Sequence, residues 1–375
     1  MFDYKVKDFG IVCTNQDIVS NQSGIFKEAA VQLAKSLFKT GSFISLSLPI
    51  RIFEERSMLE KYCSWWINAP LLMKPAGETK DSITGLKYTI AFFLSSLHHS
   101  ASQLKPFNPI LGETLQVSLD DGSKIYLEHT SHHPCISNFY IVDKDKNYKI
   151  SGYYDMQVEG MMKMLLTNYI YIIHKGKSSV YLKGTNKTID VQLPKIILGG
   201  IAYGERYVLW DNYMKLEDRS SNLKVIIQFN LKNKKIHEIY GEIFKHDYSK
   251  EKKKDFYENF SKSPFPTDRT LVISTITGSY LETICFNGES FLEVNNIKLS
   301  NVNHENMNKN FVLPSDARFR EDINWLTKSF QVRENSPELK NTFDNFAQEW
   351  KLGLEAQQRH DKKLRESKKK SRWSF

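Results

Sequence analysis

Glu128 to Cys135 reads Glu-His-Thr-Ser-His-His-Pro-Cys, and it gathers three of the chain's ten histidines into five positions. Three kinds of chemistry fit such a cluster. Imidazole and thiolate are zinc ligands, so His129, His132, His133 and Cys135 could begin a metal site. That reading lacks its remainder, because no second Cys or His pair stands at ligand spacing elsewhere, and a His-x-x-His-His run differs from the helical His-Glu-x-x-His arrangement. Alternatively, imidazoles donate hydrogen bonds to phosphate oxygens beside lysine and arginine, which makes an anion site. The third possibility is a set of histidines paired with carboxylates or carbonyls as part of the fold.

Lys124-Ile125-Tyr126-Leu127 alternates as a half-buried strand, and Pro134 removes a backbone donor and stops regular pairing. His132 and His133 therefore fall at a strand end. Neighbouring residues on a strand face opposite ways, so both rings serve one ligand only if the backbone turns there.

From Leu115 to about Val294 the pattern predicts further strands over 114–119, 124–128, 139–142, 169–174, 180–183, 224–230, 235–244, 270–277 and 280–286, separated by Asp-Gly, Lys-Gly, Asn-Gly or charged turns. Most are not separated by crossover helices. That implies an antiparallel meander closed, or nearly closed, into a barrel large enough to enclose a cavity. Before it, Ser57-Met58-Leu59-Glu60 starts a helix, and 82–100 reads as an apolar helix whose His98-His99 end has a capping role.

Ser23 to Lys39 is an amphipathic helix. Ile25, Ala29, Leu33 and Leu37, with Phe26, Ala30, Ala34 and Phe38, form one broad apolar stripe. At the other end, Lys351, Glu355 and Arg359 stand at i, i+4 and i+8 on a helix expected from Ser336 to about Glu366, which by itself is an exposed charge ladder. Gly199 to Gly204 lacks the Gly-Lys-Ser/Thr of a nucleotide loop.

Composition bounds the rest. With 375 residues, 41% of them hydrophobic, the chain can bury a large core. The formal net charge is +9, and residues 351–375 contribute nine basic against three acidic side chains. A further basic run spans Lys250 to Lys254. Charge of this sign draws anionic membranes or nucleic acid, and no nucleic-acid-binding signature is present. Cys13, Cys63, Cys135 and Cys285 are too scattered for a disulfide framework, which fits a reducing cytosol. With no signal-peptide pattern and no apolar run near the ~20 residues needed to span a bilayer, the expectation is a soluble protein.

Glu128 to Cys135 resembles the Glu-Gln-Val-Ser-His-His-Pro-Pro fingerprint of the oxysterol-binding-protein-related family of lipid transfer proteins. Lys105-Pro106-Phe107-Asn108-Pro109-Ile110-Leu111-Gly112-Glu113-Thr114 resembles that family's second signature, in the expected order. The likeness continues through Gly278 to Leu281 and Leu313 to Arg320 and covers roughly residues 25–375. His129, Thr130 and Cys135 replace the family's Gln, Val and final Pro.

The resemblance implies a mainly β, α+β fold: a large, nearly closed antiparallel β-barrel around a lipid tunnel. A single domain would span 1–375. Residues 1–41 would carry a lid helix (Ile25, Phe26, Ala29, Ala30, Leu33, Leu37), 42–112 a helical segment leading into the barrel, 113–300 the barrel, and 301–375 a C-terminal helical segment and basic tail. It further implies a phosphoinositide headgroup site of Lys105, Asn108, backbone amides near Leu111, His132, His133, Lys351, Glu355 and Arg359. There would be no cofactor, metal or catalytic residue. The expected ligands are phosphatidylinositol 4-phosphate and a second lipid, either phosphatidylserine, towards which Glu54 to Glu60 leans, or sterol. A cytoplasmic monomer in transient contact with anionic membranes is expected. A phosphoinositide sensor without transport and a zinc-dependent hydrolase built on His129, His132 and His133 are the alternatives.

Overall fold

The computed structural model describes residues 4–15, 19, 53–97, 105–109, 111–132, 134–160, 163–201, 203–250, 263–297, 360 and 363. The expected helix at 23–39 with the lid residues, that at 336–366 apart from His360 and Lys363, and His98, His99, His133, Lys351, Glu355 and Arg359 lie outside the described residues.

The chain opens with a hairpin, β1 (Tyr4–Lys7) and β2 (Gly10–Cys13), then passes through β3 (Phe53–Ser57), α1 (Met58–Trp66), α2 (Ala69–Glu78), α3 (Ser82–Ser96) and β4 (Lys105–Phe107). The large sheet follows: β5 (Thr114–Ser118), β6 (Lys124–Ser131), β7 (Ile136–Val142), β8 (Tyr148–Glu159), β9 (Tyr169–His174), β10 (Ser178–Leu182), β11 (Lys187–Gln192), β12 (Lys195–Gly199), β13 (Tyr207–Asp218), β14 (Leu223–Phe229), β15 (Glu238–Lys245), β16 (Val272–Ser279), β17 (Thr283–Phe286) and β18 (Glu289–Glu293). Its main path is β18-β17-β16-β15-β14-β13-β11-β10-β8-β7-β6-β5. β9 and β12 pair with each other and, like β10 and β11, lie between β8 and β13: His174↔Met156 and Ser178↔Gly152 belong to one continuous register along β8. The mainly β, antiparallel, barrel-forming architecture expected from the alternating runs is present.

Alternation explains the regular strands. In β6, Ile125, Leu127 and His129 are buried while Tyr126, Glu128 and Thr130 are half-buried, the period of a sheet with one core face. The β17–β18 hairpin turns on Asn287-Gly288, both at positive φ, as a type I′ turn demands.

β8 and β13, twelve residues each, were not legible as strands because each changes partner midway. Tyr148–Gly152 pairs with β10 and Met156–Glu159 with β9. At the switch stands Gly152, where a Cβ would come within 2.0 Å of the Lys177 carbonyl oxygen. In β13, Tyr207–Asp211 pairs with β12 and Asn212–Asp218 with β14. Asn212 adopts positive φ at the change and interrupts the alternation.

The helices pack on this sheet. α1 buries Leu59, Tyr62, Cys63 and Trp66 at i, i+3, i+4 and i+7. α3 is capped by Asp81, whose carboxylate accepts from Thr84 N at 2.8 Å. It is described as far as Leu97, whose carbonyl accepts from Trp210 Nε1 at 3.1 Å. The opening hairpin, for which sequence reading offered nothing, docks on β13 through Ile11↔Val208 and Val12↔Tyr207 and sends the fully buried Ile11 into the core. Among the described residues no helix is long and apolar enough to cross a membrane.

Candidate functional site: a histidine–lysine turn at one end of the sheet

The β6–β7 ladder runs through Glu128↔Asn138 and His129↔Ser137, then loses register before Ser131↔Ile136. That irregularity lets the backbone turn at the strand end. His129, fully buried, bonds through Nδ1 to Ser137 Oγ at 2.9 Å and through Nε2 to His132 Nδ1 at 2.8 Å. His132 therefore folds back onto the strand it has just left, with ring centroids 4.8 Å apart.

The Lys105 to Thr114 signature reaches the same place by another route. β4 lies parallel to β3, with Phe53↔Lys105 and Ser57↔Phe107 in register. The chain then turns at Leu111-Gly112, with Gly112 at φ 84°. Gly112 N donates to the His129 carbonyl at 2.7 Å, and His129 N donates to the Glu113 carbonyl at 2.9 Å. Lys105 Nζ donates to Asn108 Oδ1 at 2.8 Å. Burial pushes the Cys135 thiol up, with the Lys105 charge opposing and Asp155 reinforcing, so Lys105 acts electrostatically on the turn that carries His132. The structure thus brings Lys105, Asn108, the Leu111 turn and His132 to one edge.

Nothing comparable supports a metal centre. Among the described residues no three His, Cys, Asp or Glu side chains converge as a metal would require. Both His129 ring nitrogens already face protein groups, so a zinc ion would have to displace Ser137 or His132.

Two features close to the turn went unread in the sequence. The first is an aromatic floor. Tyr62 of α1 stacks on Tyr154 of β8 with centroids 3.8 Å apart. Trp65 meets Tyr154 and His174 edge-on, each at 5.7 Å. Both His174 ring nitrogens are buried without a hydrogen-bond partner, and burial lowers its pKa to about 4. Trp65-Trp66 was the one available signal; Tyr154 and His174 sit in strands whose partners only the fold supplies.

The second is a rim. Ile136 pairs with Asp155, and β8 continues to Glu159, about 13 Å further at a strand's rise per residue. The connection beyond it carries Leu166, 86% exposed, and the β12–β13 connection carries Tyr203, 64% exposed. Asn168 joins the two, donating to the Tyr203 carbonyl at 2.9 Å and accepting from Tyr203 N at 3.1 Å. The Gly199 to Gly204 run is therefore a strand-to-strand connection, unlike a nucleotide loop.

Residues 41–375 match the family model "Oxysterol-binding protein". Oxysterol-binding protein 9 of Dictyostelium discoideum is 32% identical over 213 residues, 56% of this chain and 48% of that one. Human oxysterol-binding protein-related protein 5 is 26% identical over 191 residues, 49% of this chain and 21% of that one. These matches take in less than half of either relative. Among solved structures, the ORD of Saccharomyces cerevisiae Osh3 in complex with PI(4)P has TM-score 0.59 at 22% identity, covering 90% of this chain and 85% of that one. The Osh1 ORD in complex with ergosterol has TM-score 0.60 at 19% identity, with 88% and 78% covered. At such identities the structural likeness establishes a shared fold.

Proposed function

The chain belongs to the oxysterol-binding protein family, and from that premise we propose that it is an intracellular lipid-transfer protein exchanging phosphatidylinositol 4-phosphate for a second lipid, phosphatidylserine or sterol. The observation that carries this reading is the meeting of Lys105, Asn108, the Leu111 turn and the His132 turn at one edge, tied by backbone bonds through His129. A cation, an amide, turn amides and an imidazole are donors suited to a phosphorylated headgroup. His133, Lys351, Glu355 and Arg359 complete the proposed headgroup site from outside the described residues.

Transfer requires no chemistry on the lipid. The barrel hides acyl chains or a sterol from water, at about 0.8 kcal/mol per methylene, while the donors hold the phosphates at its mouth. A helix at 23–39 closes over the occupant. The Leu166 and Tyr203 rim, an aliphatic tip beside an aromatic with a polar end, is suited to the membrane interface and lies at the same end as the His132 turn. The protein works as one domain, peripherally on membranes facing the cytoplasm.

The deciding experiment is lipid mass spectrometry of the purified protein, followed by transfer between donor vesicles containing phosphatidylinositol 4-phosphate and acceptor vesicles containing phosphatidylserine or sterol. Counter-transport is expected. Binding without transfer would leave a sensor, and absence of any phosphoinositide binding would overturn the reading.

A further inference from the structure

The connection between β14 and β15 reads Asn230-Leu231-Lys232-Asn233-Lys234-Lys235-Ile236-His237, with three lysines and no acid. Both of its ends are anchored. Asn230, at φ 53°, donates Nδ2–H to Asp211 Oδ1 at 3.0 Å. Ile236 is buried in a small cluster with Ile197 and Leu209, against which Tyr169, Tyr171 and Tyr207 pack. His237 is buried too, its Nδ1 2.8 Å from Ser279 Oγ. Between these anchors Lys232, Lys234 and Lys235 are exposed. Lys234 comes no nearer than 4.0 Å to Glu238, and Lys232 and Lys235 meet no acid among the described residues. Three like charges in four positions repel one another and add nothing to the fold, so an anion outside the chain is what they suit.

The register places this loop. Ile136 pairs with Asp155 where β6 and β7 turn through His132, and the next residue of β8, Met156, pairs with His174. Two residues from His174, Ile172 pairs with Ile196 and Ile196 with Trp210; two residues from Trp210, Asn212 pairs with Phe229. The β14–β15 loop therefore leaves the sheet at the level of the His132 turn and at the same end. The apolar tips of that end flank it: Leu166 and Tyr203, and Phe9, which is 43% exposed and meets Tyr207 edge-on at 5.3 Å. Lysine is a point charge on a flexible stem, matched to a fluid array of headgroups better than to one fixed carboxylate. We propose that Lys232, Lys234 and Lys235 are the electrostatic contact of this end with a bilayer carrying anionic lipid, beside the apolar contact of the rim. The inference deepens the membrane contact proposed above and rests on it.

The test is sedimentation of the full chain with vesicles of phosphatidylcholine alone and of phosphatidylcholine mixed with phosphatidylserine, at low and high salt. The wild type is expected to prefer the mixed vesicles, and to adsorb less as salt rises. Lys232→Gln, Lys234→Gln and Lys235→Gln combined should weaken that adsorption about fivefold per lysine, the worth of one basic side chain at an anionic surface. The matched control replaces Lys144, Lys146 and Lys183 by glutamine; these are exposed in the β7–β8 and β10–β11 turns at the other end of the sheet, and the control should adsorb nearly as the wild type does. Thermal unfolding of both variants should match the wild type, because the anchors of the loop are untouched. Equal losses in the two variants would reduce the effect to net charge and overturn the proposal. Wild-type adsorption of the loop variant would also overturn it, assigning the contact to the basic residues of 351–375 and the loop lysines to an acidic protein or to solvent. So would a wild type indifferent to phosphatidylserine. Binding of short-chain phosphatidylinositol 4-phosphate without vesicles tests the headgroup reading separately: its absence would overturn that reading, while the adsorption series still decides this one.

Discussion

Gly112 donates its backbone N–H to the His129 carbonyl at 2.7 Å and so ties together two sequence signatures that lie more than a dozen residues apart. The positive φ of Gly112 makes this approach possible, because a Cβ-bearing residue is strained in that conformation. The lysine-bearing strand and the histidine turn therefore move as one unit, which gives the site its preorganisation.

Replacing His132 and His133 together by alanine is expected to abolish phosphatidylinositol 4-phosphate extraction. It also deprives the buried His129 Nε2 of its partner, at a cost of about 1–3 kcal/mol. Thermal denaturation should register that cost as a drop of several degrees without loss of the folded state. Extraction at wild-type levels would remove both histidines from the headgroup site.

Lys105→Glu is expected to eliminate phosphoinositide binding while sparing the second lipid, because it places a negative charge in the proposed headgroup site. An independent readout is Cys135. The Lys105 charge holds its thiol lower than burial alone would, so the variant should alkylate more slowly at fixed pH. Phosphoinositide affinity equal to wild type would make Lys105 a bystander.

Leu166→Asp and Tyr203→Asp remove apolar surface from an exposed rim that carries little core. Vesicle adsorption and transfer should fall about tenfold or more, the burial of one such side chain being worth about 1.5–3 kcal/mol. Stability should stay within about 0.5 kcal/mol. Undiminished adsorption in a vesicle sedimentation assay would place membrane contact elsewhere on the surface.

His174 predicts a pH dependence of folding. Burial lowers its pKa from 6.5 to about 4, so between these values the unfolded chain binds the proton more readily than the folded one. The stability that neutral His174 provides is complete above pH 6.5 and is lost as pH falls, the loss totalling ~3 kcal/mol near pH 4. His174→Phe should flatten this part of the profile in denaturant titrations run from pH 7 to pH 4. A parallel decline in the variant and wild type would assign the acid sensitivity to other groups.

The N-terminal segment should divide into two roles. Ile11 is fully buried in the core and paired to β13, so Ile11→Ala should cost about 2–5 kcal/mol in denaturant unfolding. Leu33→Asp, in the apolar stripe of 23–39, should leave the unfolding midpoint in place and raise the rate of lipid loss, because a charge would destabilise the closed state of the proposed lid. Normal ligand retention in the second variant would leave that helix without a gating role.

The sequence by itself determined the class of fold and pointed to the two segments of the candidate site. The two signatures are contiguous strings, and the alternation in segments such as Lys124 to Glu128 follows from a strand's two-residue period, a local property. The helix start at Ser57 and the Asn287-Gly288 turn are equally local. Tertiary structure decided what depends on partners: which strands flank β8 and β13, whose change of neighbour at Gly152 and Asn212 hides their period, and the docking of Ile11. It also decided that His129 points inward to join Ser137 and His132. No local pattern encodes that line, because the reach of one side chain to another across a ladder is set by strand register and by the turn that follows, and both are fixed only when the whole sheet has formed.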